Sequence, residues 1–145
     1  EIPKDLESRC RLISVSEKPK VKNIEEAEIL VAAGRGVKQK SDLELLKQLA
    51  DLLGGELACS RPLVEAGWIE PRRQIGLSGR TVKPKLLITA GISGSVQFAA
   101  GMKSAETIVS INTDPDAPIN SIAHYAIIGD LYQVIPALMN RIAER

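Results

Sequence analysis

The chain has 145 residues, a formal charge of +1 and 44% apolar residues, enough for one globular domain with a real core and against disorder. The near-neutral charge gives no reason to expect a polyanionic partner, and one Trp, two Tyr and one Phe are too few stacking platforms for single-stranded nucleic acid. No apolar run is long enough to span a bilayer and no secretory signal is read, so no membrane span is expected.

In chain order, residues 1–27 read as a charged connector around one β-like run, "CRLISVS" (Cys10–Ser16). This segment is expected to be an arm outside the main core. The chain opens on Glu1 rather than Met, which suggests a fragment or a processed product. Cys10 and Cys59 lack metal-ligand spacing and are expected to be free thiols in a reducing compartment.

From Glu28 strands alternate with helices. "EILVAAG" (Glu28–Gly34) is a short apolar run ending in glycine and predicts a buried strand. "SDLELLKQLADLLGG" predicts a helix, with Ser41 and Glu44 as a capping box. Leu43, Leu46, Ala50 and Leu53 share one face, and Gly54 ends the helix. "ELACS" (Glu56–Ser60) predicts a second strand.

Residues 61–85 break the rhythm and predict mostly loop, which is uncommon at this length and often functional. Six basic side chains stand there against Glu65 and Glu70. That local excess of positive charge is consistent with an anionic partner or with a solvated surface.

"KLLITAG", "ETIVSIN" and "HYAIIGD" then predict three more strands. "GSVQFAAGM" predicts a helix from Gly94. "LYQVIPALMNRIAE" predicts a last helix with Leu131, Val134, Ile135, Leu138 and Ile142 on one face and a bend near Pro136. The alternation implies a doubly wound, three-layer α/β fold with a parallel, Rossmann-like sheet. Its near-continuous apolar strands fit burial on both sides. Ligands of such sheets bind beyond the carboxyl ends of the strands. Functional residues are therefore expected at 34–36, 60–61, 91–95, 112–116 and 129–130.

The stretch "GISGS" (Gly91–Ser95) follows a strand and precedes a helix. Glycines there allow close approach of a phosphate, and serine hydroxyls add donors. The spacing is not G-x-G-x-x-G, so a tight turn without a ligand stays open. It is not the G-x-S-x-G nucleophile elbow either, and His124, the sole histidine, reads as structural or ligand-edge rather than as a base. No P-loop lysine is present.

Six blocks carry a resemblance: "GRGV" (34–37), "SRPLVEAGW" (60–68), "QIGLSGRTVKPKL" (74–86), "GISGSVQFAAGM" (91–102), "INTDPDAPI" (111–119) and "GDLYQVIP" (129–136). In order and spacing they resemble the C-terminal FAD-binding domain of the electron-transfer flavoprotein alpha subunit. The resemblance assigns residues 28–145 to that domain and 1–27 to the connector from a missing N-terminal domain. It implies FAD as cofactor, a heterodimer with the beta subunit, and a flavin dehydrogenase such as an acyl-CoA dehydrogenase as electron donor. The role implied is that of an electron carrier rather than a side-chain catalyst, in the cytoplasm of a bacterium or archaeon.

By position, the resemblance gives Ser93, Gly94, Ser95 and Val96 the FAD diphosphate and ribityl side, with Gln97 beside them and Arg35 as a charge partner. Ser60 and Arg61 would lie by the flavin, where a fixed cation favours anionic forms of the ring. Ile75, Gly76, Leu77 and Ser78 would flank it, Ser78 offering the hydroxyl that meets flavin N5 from a threonine in many members. Asn112, Asp130 and Leu131 would line the adenosine end. Two positions depart from the common pattern: Phe98 replaces a histidine that donates toward flavin O2, and Leu77 replaces a glutamine. These versions resemble anaerobic relatives, some of which bifurcate electrons from NADH. A nicotinamide- or nucleotide-binding module on a similar fold is the alternative, as is a domain that holds flavin only with its partner present.

Overall fold

The computed structural model describes residues 23–144; the run Cys10–Ser16 lies outside the described residues. Five strands, β1 (Ile29–Ala33), β2 (Glu56–Cys59), β3 (Leu86–Ala90), β4 (Thr107–Asn112) and β5 (Tyr125–Ile128), form one all-parallel sheet in the order β2-β1-β3-β4-β5. The register aligns Ala33 with Cys59 and Ala90, Ala90 with Ile111, and Asn112 with Ile128. The carboxyl ends of all five strands therefore lie along one edge.

Helices α1 (Leu43–Leu53), α2 (Arg61–Glu65) and α5 (Leu131–Ala143) cover one face; α3 (Val96–Ala100) and α4 (Ile119–Ile122) cover the other. Side-chain alternation divides the core between them. Val31, Ala33, Ile88 and Ile111 pack toward α1 and α5 with Leu46, Leu49 and Ile135. Leu30, Ala32, Leu87 and Ile108 pack toward α3 and α4 with Phe98, Met102 and Ile119. This is the expected three-layer, Rossmann-like arrangement. The chain winds outward from β1 to β2, then crosses back to β3. Such a reversal opens a crevice between the loops that follow β1 and β3.

Local structure departs from expectation in several places. The capping box at Ser41 and Glu44 does not form. A 3₁₀ turn over Lys40–Asp42 leads into α1, and Asp42, itself helical, makes no side-chain cap bond. Gly54 does end α1, at φ +77° with its N–H on the carbonyls of Ala50 and Asp51. The helix after β3 starts at Val96 rather than Gly94, because the Ser95 hydroxyl accepts the Phe98 N–H and sets the N-cap there. The long loop contains α2 and a 3₁₀ turn, Pro71–Arg73, each with proline in its first turn. Ile24, in the expected connector, is buried in the core. Helix α5 runs unbroken through Pro136.

The excess of positive charge in residues 61–85 is largely met by the protein. Arg61 pairs with Glu65, Arg72 with Glu70, Arg73 with Glu56, Arg80 with Glu25 and Lys85 with Glu28. Three of those acids lie outside the segment, which a local charge count cannot see.

Strand β5 differs from the others: all four of its residues are exposed. Helix α5 leans on α1 and β4 instead, so Tyr125, Ile127 and Ile128 present apolar surface. Burial on both sides, expected of every strand, fails at this edge.

Candidate functional site

The carboxyl edge of the sheet holds two adjoining cavities. One, of about 270 Å³, is bounded by Arg35, Ser60, Pro62, the turn Gly91–Ser95, Phe98 and Asn112. The other, of about 230 Å³, is bounded by Gly36, Lys38, Asn112, Thr113, Gly129, Asp130 and Tyr132, with Gly91, Ile111 and Leu131. Gly91 and Asn112 belong to both, so the two form one cleft across the ends of β1, β3, β4 and β5. A larger, more open apolar hollow near Trp68 and Leu57 lies beside α1 and the edge strand β2, away from the strand ends.

The floor of the cleft depends on glycine. A Cβ on Gly36 would lie 2.7 Å from the Cα of Gly91, and one on Gly91 would lie 2.8 Å from the Cα of Gly36. Gly94, at φ +92°, meets the backbone of Ile119 in the same way at 2.8 Å. The two loops of the crevice are thus in backbone contact, leaving no room for side chains between them.

Around Gly94, the N–H groups of Ser93, Gly94, Ser95, Val96 and Gln97 donate to no acceptor among the described residues. A consecutive run of unsatisfied donors beside a cleft wants water or an anion. Arg35 is exposed at the same cavity and has no carboxylate within ion-pair distance among the described residues. This donor set and the missing side chains suit a dinucleotide whose diphosphate crosses the crevice.

The structure brings Arg35, Ser60, Ser93, Gly94, Ser95, Phe98, Asn112, Asp130 and Leu131 to the cleft. Several of these also have structural duties. Asn112 donates to the Ile92 carbonyl at 2.8 Å and accepts from Asp114 N–H, tying β4 to the turn after β3. Asp130 caps α5 by accepting the Tyr132 N–H. The Phe98 ring is 3% exposed and belongs to the core beneath the turn.

Other expected site residues do not line it. Ile75 is buried and its N–H binds the Cys59 carbonyl. Gly76 is held by Arg80, and Ser78 accepts from the Gln74 side chain at 3.1 Å. Leu77 donates its N–H to the Gln97 carbonyl, which lays this loop along α3. Leu77 and Val96 are 73% and 83% exposed, an apolar surface next to the donors. The Arg61 guanidinium meets Glu65 at 2.7 Å. Thr113 falls within the stretch 112–116 expected after β4, whereas Lys38 and Tyr132 lie just beyond the expected positions; nearness to the end of a strand is the only signal that points to them.

His124 is structural: its Nδ1 accepts the Ile108 N–H at 2.9 Å at the start of β4. Among the described residues no cluster of His, Cys, Asp and Glu could hold a metal, and no helix is long and apolar enough to cross a membrane. Cys59 is a free, buried thiol. Burial pushes its pKa up to about 12, with the Arg73 charge pulling weakly the other way.

The family model described as the electron transfer flavoprotein FAD-binding domain matches residues 23–103. The chain belongs to this family. The cofactor of the electron transfer flavoprotein domain is FAD, in keeping with a cleft of dinucleotide chemistry. The match starts at Asn23, beside the buried Ile24. The chain is 53% identical over 137 residues to the lactate dehydrogenase (NAD(+),ferredoxin) subunit LctC of Acetobacterium woodii, covering 94% of this chain and 33% of that protein. It is 48% identical over 135 residues to the electron transfer flavoprotein subunit alpha of Thermoanaerobacterium thermosaccharolyticum, covering 92% and 41%. It is 52% identical over 116 residues to protein FixB of Azotobacter vinelandii, covering 80% and 32%. The chain thus spans about a third of the length of these relatives. It is an alpha-type electron-transfer domain.

Proposed function

We propose that this chain holds FAD along the carboxyl edge of its sheet and serves as the cofactor domain of an electron-transfer flavoprotein alpha subunit. The observation that carries the reading is the run of N–H groups from Ser93 to Gln97 that meet no acceptor among the described residues, beside the glycine-floored crevice. FAD, when bound, accepts and releases electrons one or two at a time. The chain's own residues bind and tune. The N–H groups and the hydroxyls of Ser93 and Ser95 neutralise the diphosphate, with Arg35 adding a positive charge. Asn112, Asp130 and Leu131 take the adenosine end in the second cavity.

The flavin end lies toward Ser60, Arg61 and the loop Ile75–Ser78. There Leu77 and Val96 offer exposed apolar surface that a ring or a partner covers. The Ser78 hydroxyl is within reach of Gln74 and supplies a polar group to that end. Arg61 stands at the start of α2, and its pair with Glu65 is exposed. Such pairs hold weakly, so the guanidinium can turn toward the ring. Phe98 supplies no donor, so stabilisation of a negative ring falls to Arg61 and backbone groups.

Family membership supports a beta subunit in a heterodimer, a flavin dehydrogenase as donor and a further acceptor as partners, with the cytoplasm as the compartment. The name of the Acetobacterium relative joins lactate, NAD(+) and ferredoxin. It supports placement with anaerobic relatives, and with a hydroxy-acid dehydrogenase rather than an acyl-CoA dehydrogenase as donor. The test is the visible spectrum of the purified protein, with and without added FAD and with its beta subunit co-expressed. Flavin absorbance that survives desalting is expected. A colourless protein that takes up no FAD in either state removes the proposal; uptake only in the co-expressed state assigns retention to the heterodimer.

A further inference from the structure

We propose that Tyr132 is a positioning residue for the adenosine end of the cofactor, its hydroxyl clipping the loop after β1 to the start of α5. The inference rests on the reading of the cleft as an FAD site.

The hydroxyl accepts the Lys38 N–H at 2.8 Å and donates to Asp42 Oδ2 at 2.6 Å. The Lys38 ammonium lies 5.4 Å from the centre of the same ring, within cation–π range. The Tyr132 N–H is in turn held by Asp130 Oδ1 at 2.9 Å. One side chain therefore joins two segments far apart in sequence, the stretch from Lys38 to Asp42 and the start of α5.

Its place decides what the clip does. Tyr132, Lys38, Gly36 and Asp130 all border the second cavity. The loop after β1 is pinned at Gly36 by the carbonyl of Gly91 and at Lys38 by Tyr132. The first bond sets its distance from the crevice; the second sets its distance from Asp130. Together they fix the width of the pocket before a ligand arrives, so less freedom is lost on binding. Burial and the bond to Asp42 raise the Tyr132 pKa, which keeps the hydroxyl protonated as the donor that Asp42 requires. Asp42 borders neither cavity, so it reaches the ligand only through Tyr132.

The test uses the protein with its beta subunit, and Tyr132→Phe, Asp42→Ala and the double variant. Dissociation constants are measured for FAD, ADP and FMN, with thermal unfolding of the cofactor-free proteins and hydrogen exchange at the Lys38 amide. The loss of one charge-assisted bond in either variant is expected to weaken FAD and ADP about five- to tenfold. FMN, which lacks the adenosine end, is expected to bind as before. The double variant is expected to be no worse than Tyr132→Phe, and Lys38 exchange to accelerate in the two variants that lack the hydroxyl. FAD affinity that stays within about twofold of the parent (under 0.5 kcal/mol) in both single variants overturns the positioning role. So does equal weakening of FMN, which marks general loosening. A parent protein that binds no FAD sinks the reading of the cleft and this inference together, whereas a parent that binds FAD alongside indifferent variants sinks this inference alone.

Discussion

The N–H of Gly36 donates to the carbonyl of Gly91 at 2.9 Å, and neither residue has space for a Cβ against the other. This contact joins the two loops on either side of the crevice. Gly36→Ala and Gly91→Ala are each expected to destabilise the fold by about 1–3 kcal/mol and to abolish FAD retention. Gly91, at φ +70°, bears backbone strain as well as the clash. Gly54 is the comparison: it has φ +77° but open space around its Cβ position. Gly54→Ala is expected to cost about 1–2 kcal/mol from the left-handed backbone alone and to leave flavin binding intact. Thermal unfolding with flavin content after desalting separates the two cases.

Arg61 and Glu65 form an exposed pair, which gives a prediction of two signs. Arg61→Ala removes the cation proposed for the flavin end and is expected to lower the reduction potential. Glu65→Gln leaves the cation but frees it from its partner, and is expected to raise the potential slightly. For a partly screened charge the effect is on the order of 1 kcal/mol. Redox titrations that are the same in parent and both variants refute a role for Arg61 at the ring.

Position 98 separates two demands on one side chain. The Phe98 ring is core, so Phe98→His is expected to cost about 1–3 kcal/mol of stability through a polar group without a fixed partner. If the ring edge also faces the pyrimidine end of the flavin, the same variant raises the potential. A stability loss with an unchanged potential places residue 98 under the cleft but away from that end.

Cys59 gives a pH dependence. Its thiol is pushed from the ordinary 9.0 up to about 12 by burial. In this range the folded state holds the proton that the unfolded state releases, so stability falls as pH rises. The contribution is fully present below 9.0 and is lost as pH rises toward about 12. Denaturation midpoints of the parent and Cys59→Ala, measured from neutral pH upward, are expected to converge. Parallel profiles contradict the assignment.

The fold was legible because its signals are local. The runs "ILVAA" and "LLITA" are long enough, and apolar enough, to be strands covered on both sides, and glycine or polar residues mark where each ends. The cleft was legible for the same reason, since a parallel sheet puts all those ends on one edge. What stayed hidden depends on distant partners. Asp42 turns from capping α1 to meet Tyr132, 90 residues away. Glu25, Glu28 and Glu56 answer cations that look unopposed in residues 61–85. The span "HYAIIGD" has the composition of an inner strand, yet no sequence pattern announces that α5 will lean toward β4 and leave β5 bare.

That bare strand shapes how the molecule behaves at the bench. Tyr125, Ile127 and Ile128 sit on a backbone edge that carries no lysine, proline or bulge to discourage a stranger. Two molecules meeting there would extend one sheet into the next and hide greasy surface in the process. Solutions of this domain alone should thus self-associate with rising concentration, and a lysine placed at Ile127 should keep them monodisperse.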